Sequence, residues 1–169
     1  ALATTAMLLA GMAVAYLVLE NGASFSHLGI LERLNAAVFH SVVVRTAGFN
    51  VVDFSQMRPA TLLLTCFAMF VGGGSGSIAG GIKVTTLAVL FAAFRGELRA
   101  QPPRLFDRTI PEAVVRRAMG VGFLATLLVI TVVFVLLLFE DRPPLMILVE
   151  VVGAFSTAGL PTGITAELS

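Results

Sequence analysis

Gly72-Gly73-Gly74-Ser75-Gly76-Ser77-Ile78-Ala79-Gly80-Gly81 sits inside an apolar run from Pro59 to Phe94 whose one charge is Lys83. As a continuous helix that run would rise roughly 54 Å, well beyond the ~30 Å hydrocarbon core of a bilayer. The stretch holds six glycines in ten residues, and each disfavours a helix interior by ~1 kcal/mol relative to alanine. The run therefore reads as helix, loop, helix. Irregular backbone at membrane depth survives only where protein buries it or where it lines a wet cavity, so the interruption faces other protein or a pore.

On either side of that run lie two further apolar segments. Ala1 to Leu19 carries no charge and would rise ~28 Å as a helix; Ala118 to Phe139 is likewise uncharged and rich in Leu, Val, Phe and Ile, long enough to cross with modest tilt. The whole chain agrees: of 169 residues 57% are hydrophobic and 12% charged, against a soluble norm of roughly 25% charged, and the mean hydropathy is +0.97. A soluble globular domain is excluded. The single cysteine, Cys66, rules out an internal disulfide framework and a cysteine-rich metal site. A net charge of +1 gives no clustered basic footprint, so nucleic acid is not a partner. Ala1 opens inside an apolar run with no basic region before it, so the chain reads as a piece of a longer one, without a signal peptide.

Charge distribution orients the spans. Arg95 to Arg117 holds six arginines against three acids, Glu20 to Arg58 is balanced at three and three, and the tail from Glu140 holds one arginine and four acids. The positive-inside rule puts 95–117 in the cytoplasm and the other two segments outside. Both outer segments are too apolar for plain loops. Leu34 to Val44 and Leu145 to Phe155 are each about half a membrane helix, the length of a re-entrant segment or a core helix. Pro143 and Pro144 suit the start of the second.

Each half-length segment ends in one pattern, Thr46-Ala47-Gly48-Phe49 and Thr157-Ala158-Gly159-Leu160, offset by 111 residues. The chain thus carries a repeat: span, re-entrant helix, Thr-Ala-Gly loop, broken span, then the same order again, cut short. A short helix entering from outside aims its partially negative C-terminus inward, which favours a cation there. The loop after it can present carbonyl oxygens, as four Thr-Val-Gly-Tyr-Gly loops do in potassium channels. Gly48 and Gly159 supply the backbone freedom such carbonyls need, unless they are ordinary helix caps.

Arg45-Thr46-Ala47-Gly48-Phe49-Asn50, the glycine-rich Gly72 to Thr86 and Ser156 to Pro161 resemble the filters and intramembrane loop of the TrkH/KtrB/HKT superfamily of potassium transporters. The likeness covers essentially the whole chain and matches the third and fourth of that family's four pore repeats. It implies an all-α integral membrane fold of repeated units, each a transmembrane helix, a re-entrant pore helix and a second transmembrane helix, the second helix being broken. On this reading 1–94 is one pore repeat, with a span at 1–19, a pore helix and filter at 30–50 and a broken span at 59–94. A basic loop follows at 95–117. The incomplete second repeat, 118–169, has its span at 118–139 and its pore helix and filter at 144–163. The resemblance further implies a bacterial inner-membrane, multi-pass protein that takes up potassium as its transported ion, by gated flow or symport, with no organic cofactor. It implies a homodimer and a cytoplasmic nucleotide-binding regulatory subunit. Thr46, Ala47, Gly48, Phe49, Thr157, Ala158, Gly159 and Leu160 would line the filter. Gly72, Gly73, Gly74, Ser75, Gly76, Ser77, Gly80, Gly81 and Lys83 would form the gate beneath it. Leu160 replaces the aromatic of the first copy, and neither copy has the second glycine of the channel signature, which predicts looser ion coordination.

Other readings of these residues remain open. A lysine near the bilayer centre costs roughly 2.5 to 3.5 kcal/mol, so Lys83 either joins the gate or snorkels to the cytoplasmic interface. Gly72, Gly76 and Gly80 stand at spacing four, a pattern that also lets membrane helices pack closely. The dinucleotide fingerprint fails for want of a preceding strand and a later acid, and the P-loop fails because Ile82 separates Gly81 from Lys83. Glu150 breaks an apolar half-helix and needs water or a mate, for which Arg45 is a candidate; Asn50 and Asp53 either draw cations or cap a turn. His27 and His40 show no metal-ligand spacing. No catalytic motif is present, so an enzyme is not expected. An alternating-access carrier and a non-transport membrane scaffold are the alternatives to a filter.

Overall fold

The computed structural model describes residues 2–20, 29–44, 57–74, 79–105 and 108–159. The helices are α1 (Leu2–Glu20), α2 (Ile30–Val43), α3 (Pro59–Phe70), α4 (Val84–Leu98), α5 (Glu112–Phe139) and α6 (Pro144–Ser156), with a minimal hairpin, β1 (Arg104–Leu105) and β2 (Arg108–Thr109), between α4 and α5. Local chemistry starts and stops each one. The N–H of Gly29 donates to the Glu32 carboxylate at 2.9 Å, which puts an acid on the positive end of α2. Proline occupies the first turn of both α3 and α6, where its missing N–H costs nothing.

Length sorts the helices against a bilayer. α1 and α5 are long and apolar enough to cross one. The 14 residues of α2 and the 13 of α6 would rise only about 20 Å, short of the ~30 Å core. α3 and α4 each fall short in the same way, and they are separated by residues 71–83. α5 begins at Glu112 rather than at Ala118, and α4 runs to Leu98 rather than Phe94. The arginines at both ends continue the helix because a helix persists once nucleated and their heads reach polar surroundings.

α1 packs on α2 and α3, α3 on α6, α6 on α5, and α5 on α4. The shared core holds Tyr16, Met69, Val129, Ile147, Val149 and Val152. α5 presents Phe123, Phe134 and Phe139 outward, each more than 60% exposed, an apolar face that suits lipid rather than water. Thr126 and Thr131 on this helix donate to the Gly122 and Leu127 carbonyls at 2.9 and 2.8 Å, so neither hydroxyl is left needing water.

Candidate functional site

The C-terminal ends of α3 and α6 meet at the glycine-rich interruption, with the Phe70 and Phe155 rings stacked 5.8 Å apart. A helix end leaves its last carbonyls without partners inside the helix. Here the interruption supplies donors to both ends: the Ile82 N–H donates to Phe70 O at 2.9 Å and the Gly81 N–H to Phe155 O at 3.3 Å. Two consecutive amides therefore bridge two helix termini. Gly72 N–H returns a bond to Ile82 O at 2.9 Å, and Val84 N–H one to Gly73 O at 3.3 Å.

This closeness requires glycine. A Cβ on Gly72 would stand 1.8 Å from Gly80 O, and one on Gly80 would stand 2.7 Å from Phe155 O. Gly81 has φ +72°, a left-handed conformation that side chains resist. Gly72 and Gly80 lie in non-helical backbone, so their spacing does not form one face of a continuous helix, although the backbones do approach closely. Lys83 precedes α4, and its ammonium donates to Ala79 O within the interruption.

α6 ends in a tight turn. Thr157, with φ +55°, donates its N–H to Ala154 O at 3.1 Å, and Ala158 N–H reaches Gly153 O at 3.0 Å. The Thr157 hydroxyl donates to Ser156 O at 2.6 Å and accepts the Gly80 N–H at 3.0 Å. Gly159 follows with φ +64°. Among the described residues no donor reaches the carbonyls of Thr157, Ala158 or Gly159.

The remaining candidates divide. Thr46, Ala47, Gly48, Phe49, Arg45, Asn50, Asp53, Ser75, Gly76, Ser77, Leu160 and His27 lie outside the described residues. Glu150 lines a cavity of about 310 Å³ between α5 and α6, with Leu128, Val132, Leu136 and Phe155. His40 is buried with its ring edge-on to Tyr16, centroids 4.6 Å apart. No group of three or more His, Cys, Asp or Glu side chains gathers among the described residues.

Sequence reasoning missed a second polar cluster. Glu20, fully buried at the end of α1, accepts the Arg58 N–H at 3.3 Å and the Thr61 hydroxyl, and so caps α3. One turn deeper, Thr65 donates to Thr61 O at 2.8 Å. Its hydrogen is thus spent, so Tyr16 donates to Thr65 Oγ1 at 2.8 Å. The one available signal was the matched four-residue spacing of Tyr16 with Glu20 and of Thr61 with Thr65, which places each pair on one helix face.

The described residues form an all-α fold with two helices long and apolar enough to cross a membrane. The chain belongs to the TrkH family of cation transport proteins, whose match covers residues 2–169. It is 41% identical over 178 residues to the potassium/sodium uptake protein NtpJ of Enterococcus hirae, covering 100% of this chain and 39% of that protein. It is 37% identical over 162 residues to the Ktr system potassium uptake protein B of Bacillus subtilis, covering 95% of this chain and 36% of that one. The chain thus spans well under half the length of these relatives. In fold it resembles the crystal structure of the potassium transporter TrkH from Vibrio parahaemolyticus, with a TM-score of 0.72 at 17% identity over 98% of this chain and 43% of that one.

Proposed function

We propose that the chain forms part of a path for monovalent cations, potassium foremost, in which carbonyls of Thr46 to Phe49 and Thr157 to Leu160 line a filter and the Gly72 to Lys83 segment gates it. The observation that carries this reading is the meeting of the α6 terminus with the interruption, Gly80 N–H on Thr157 Oγ1 at 3.0 Å. α6 is too short to cross a bilayer, so as a re-entrant helix it would end near the midplane with its partially negative terminus facing the ion. Three carbonyls beyond that terminus are free of donors from the described residues. Uptake of potassium and sodium, named for NtpJ, fits a filter whose second copy has Leu160 where the first has Phe49.

Lys83, bonded to Ala79 O, would place a cation in the closed gate and repel permeating ions. The full protein would act as a homodimer in the bacterial inner membrane, opened by a cytoplasmic nucleotide-binding subunit. In the full-length protein in proteoliposomes, Gly48→Ser is expected to change the potassium-to-sodium flux ratio. Deletion within Gly73 to Gly80 is expected to raise basal flux. An unaltered ratio together with unaltered flux would discard the filter and gate.

A further inference from the structure

Thr157 holds a position that lining a filter does not require. Its hydroxyl hydrogen is committed to Ser156 O at 2.6 Å, and one lone pair accepts the Gly80 N–H at 3.0 Å. The side chain therefore points its bonding capacity at the interruption. The backbone beneath it does the same, since Phe155 O accepts the Gly81 N–H at 3.3 Å. Two adjacent amides of one segment thus hold two groups near the end of another, in reverse sequence order, the first pair across 77 residues.

We propose that Thr157 is a positioning residue that latches the interruption onto the filter-bearing end of α6, so that the gate moves only when the second filter loop loses its tie. This deepens the gated-filter reading and rests on it. The coupling has a direct mechanical basis. Gly80 and Gly81 cannot leave α6 without stripping Phe155 O and Thr157 Oγ1 of their donors, and stripped groups then draw on the ion or on water. The next carbonyls in the chain, those of Thr157, Ala158 and Gly159, sit on the backbone that the latch restrains. Thr157 also has a left-handed conformation, φ +55°, which a residue with a branched side chain adopts only when its surroundings hold it there. The α6 turn supplies part of that hold, through Thr157 N–H on Ala154 O and Ala158 N–H on Gly153 O, and the latch adds to it: released, Thr157 has fewer restraints and the carbonyls after it turn. Gate opening and filter geometry are therefore one event.

The test uses the full-length protein in proteoliposomes, with cation flux and deuterium exchange of the 79–84 amides as separate readouts. Thr157→Val removes the acceptor and keeps the shape. It is expected to raise basal flux roughly two- to tenfold, the effect of losing one neutral hydrogen bond, to lower the potassium-to-sodium ratio, and to speed exchange at Gly80 and Gly81. Thr157→Ser restores the hydroxyl and is expected to restore all three. Gly80→Ala leaves the filter sequence untouched but drives a Cβ into Phe155 O, 2.7 Å away, and is expected to give the same rise in flux and exchange. Wild-type exchange at Gly80 in Thr157→Val would overturn the latch, as would Thr157→Ser behaving like Thr157→Val. Exchange is read without transport, so failure of the latch is distinct from failure of the permeation reading, which shows as absent cation flux in the wild type.

Discussion

Glu20 ends α1 with its carboxylate buried beneath the first turn of α3, accepting the Arg58 N–H and the Thr61 hydroxyl. Removing one partner of a buried hydrogen bond costs more than the bond itself contributes, because the orphaned donors lose water as well. Glu20→Ala is expected to destabilise the purified full-length protein in detergent by about 1–3 kcal/mol, read as a lower unfolding temperature. Tyr16→Phe removes the donor to Thr65 alone and should cost about 1 kcal/mol. No loss of stability in Glu20→Ala would mean that Glu20 does not cap α3. Neither pairing was legible in the residues, where Glu20 is only the acid that ends an apolar run. Its partners lie 38 and 41 residues away, and no periodicity links them.

The interruption between α3 and α4 behaves as an element in its own right, with defined donors and acceptors. Glycines in different elements should accordingly respond in opposite ways to the same methyl group. Gly120 in α5 has nothing within 4 Å of its Cβ position, so Gly120→Ala should be neutral or stabilise by up to ~1 kcal/mol through helix propensity. Gly81→Ala meets both a positive φ and Phe70 O at 2.9 Å, and should lose ~1–2 kcal/mol or more from conformational strain alone. Thermal unfolding of the two variants side by side checks the contrast. Glycine density made the interruption readable, since propensity is a local property. Which glycines touch what was not readable, because Gly80 is constrained by Phe155 and Ser156 on another helix.

For the whole molecule the test is orientation in a membrane. α5 has a lipid-suited face that includes Ile130, 60% exposed. Arginine there, near the centre of the uncharged stretch, should disfavour insertion by roughly 3 kcal/mol, measured as the inserted fraction of α5 in a glycosylation-based assay. A cysteine replacing Arg104 should react with an impermeant thiol reagent from the cytoplasmic face, and one replacing Asp141 from the outer face. The buried native Cys66 should stay silent. Reaction of both new cysteines from the same face would overturn α5 as a crossing. Arginine asymmetry is the basis of the orientation this test expects, while the hairpin of Arg104 and Leu105 with Arg108 and Thr109 was not readable in the sequence, being too short for any strand pattern.

The amino-acid order alone determined which segments are long enough to span lipid, where the apolar run from Pro59 to Phe94 must break, and that a Thr-Ala-Gly motif recurs. Each of these follows from rise per residue, hydropathy and backbone propensity, which depend on neighbours in the chain. Only the tertiary structure decided what the break holds. Helix ends and irregular backbone must find hydrogen-bond partners wherever packing brings them. For Gly80 that partner is Thr157, 77 residues on, and only the packing of α3 against α6 brings the two together.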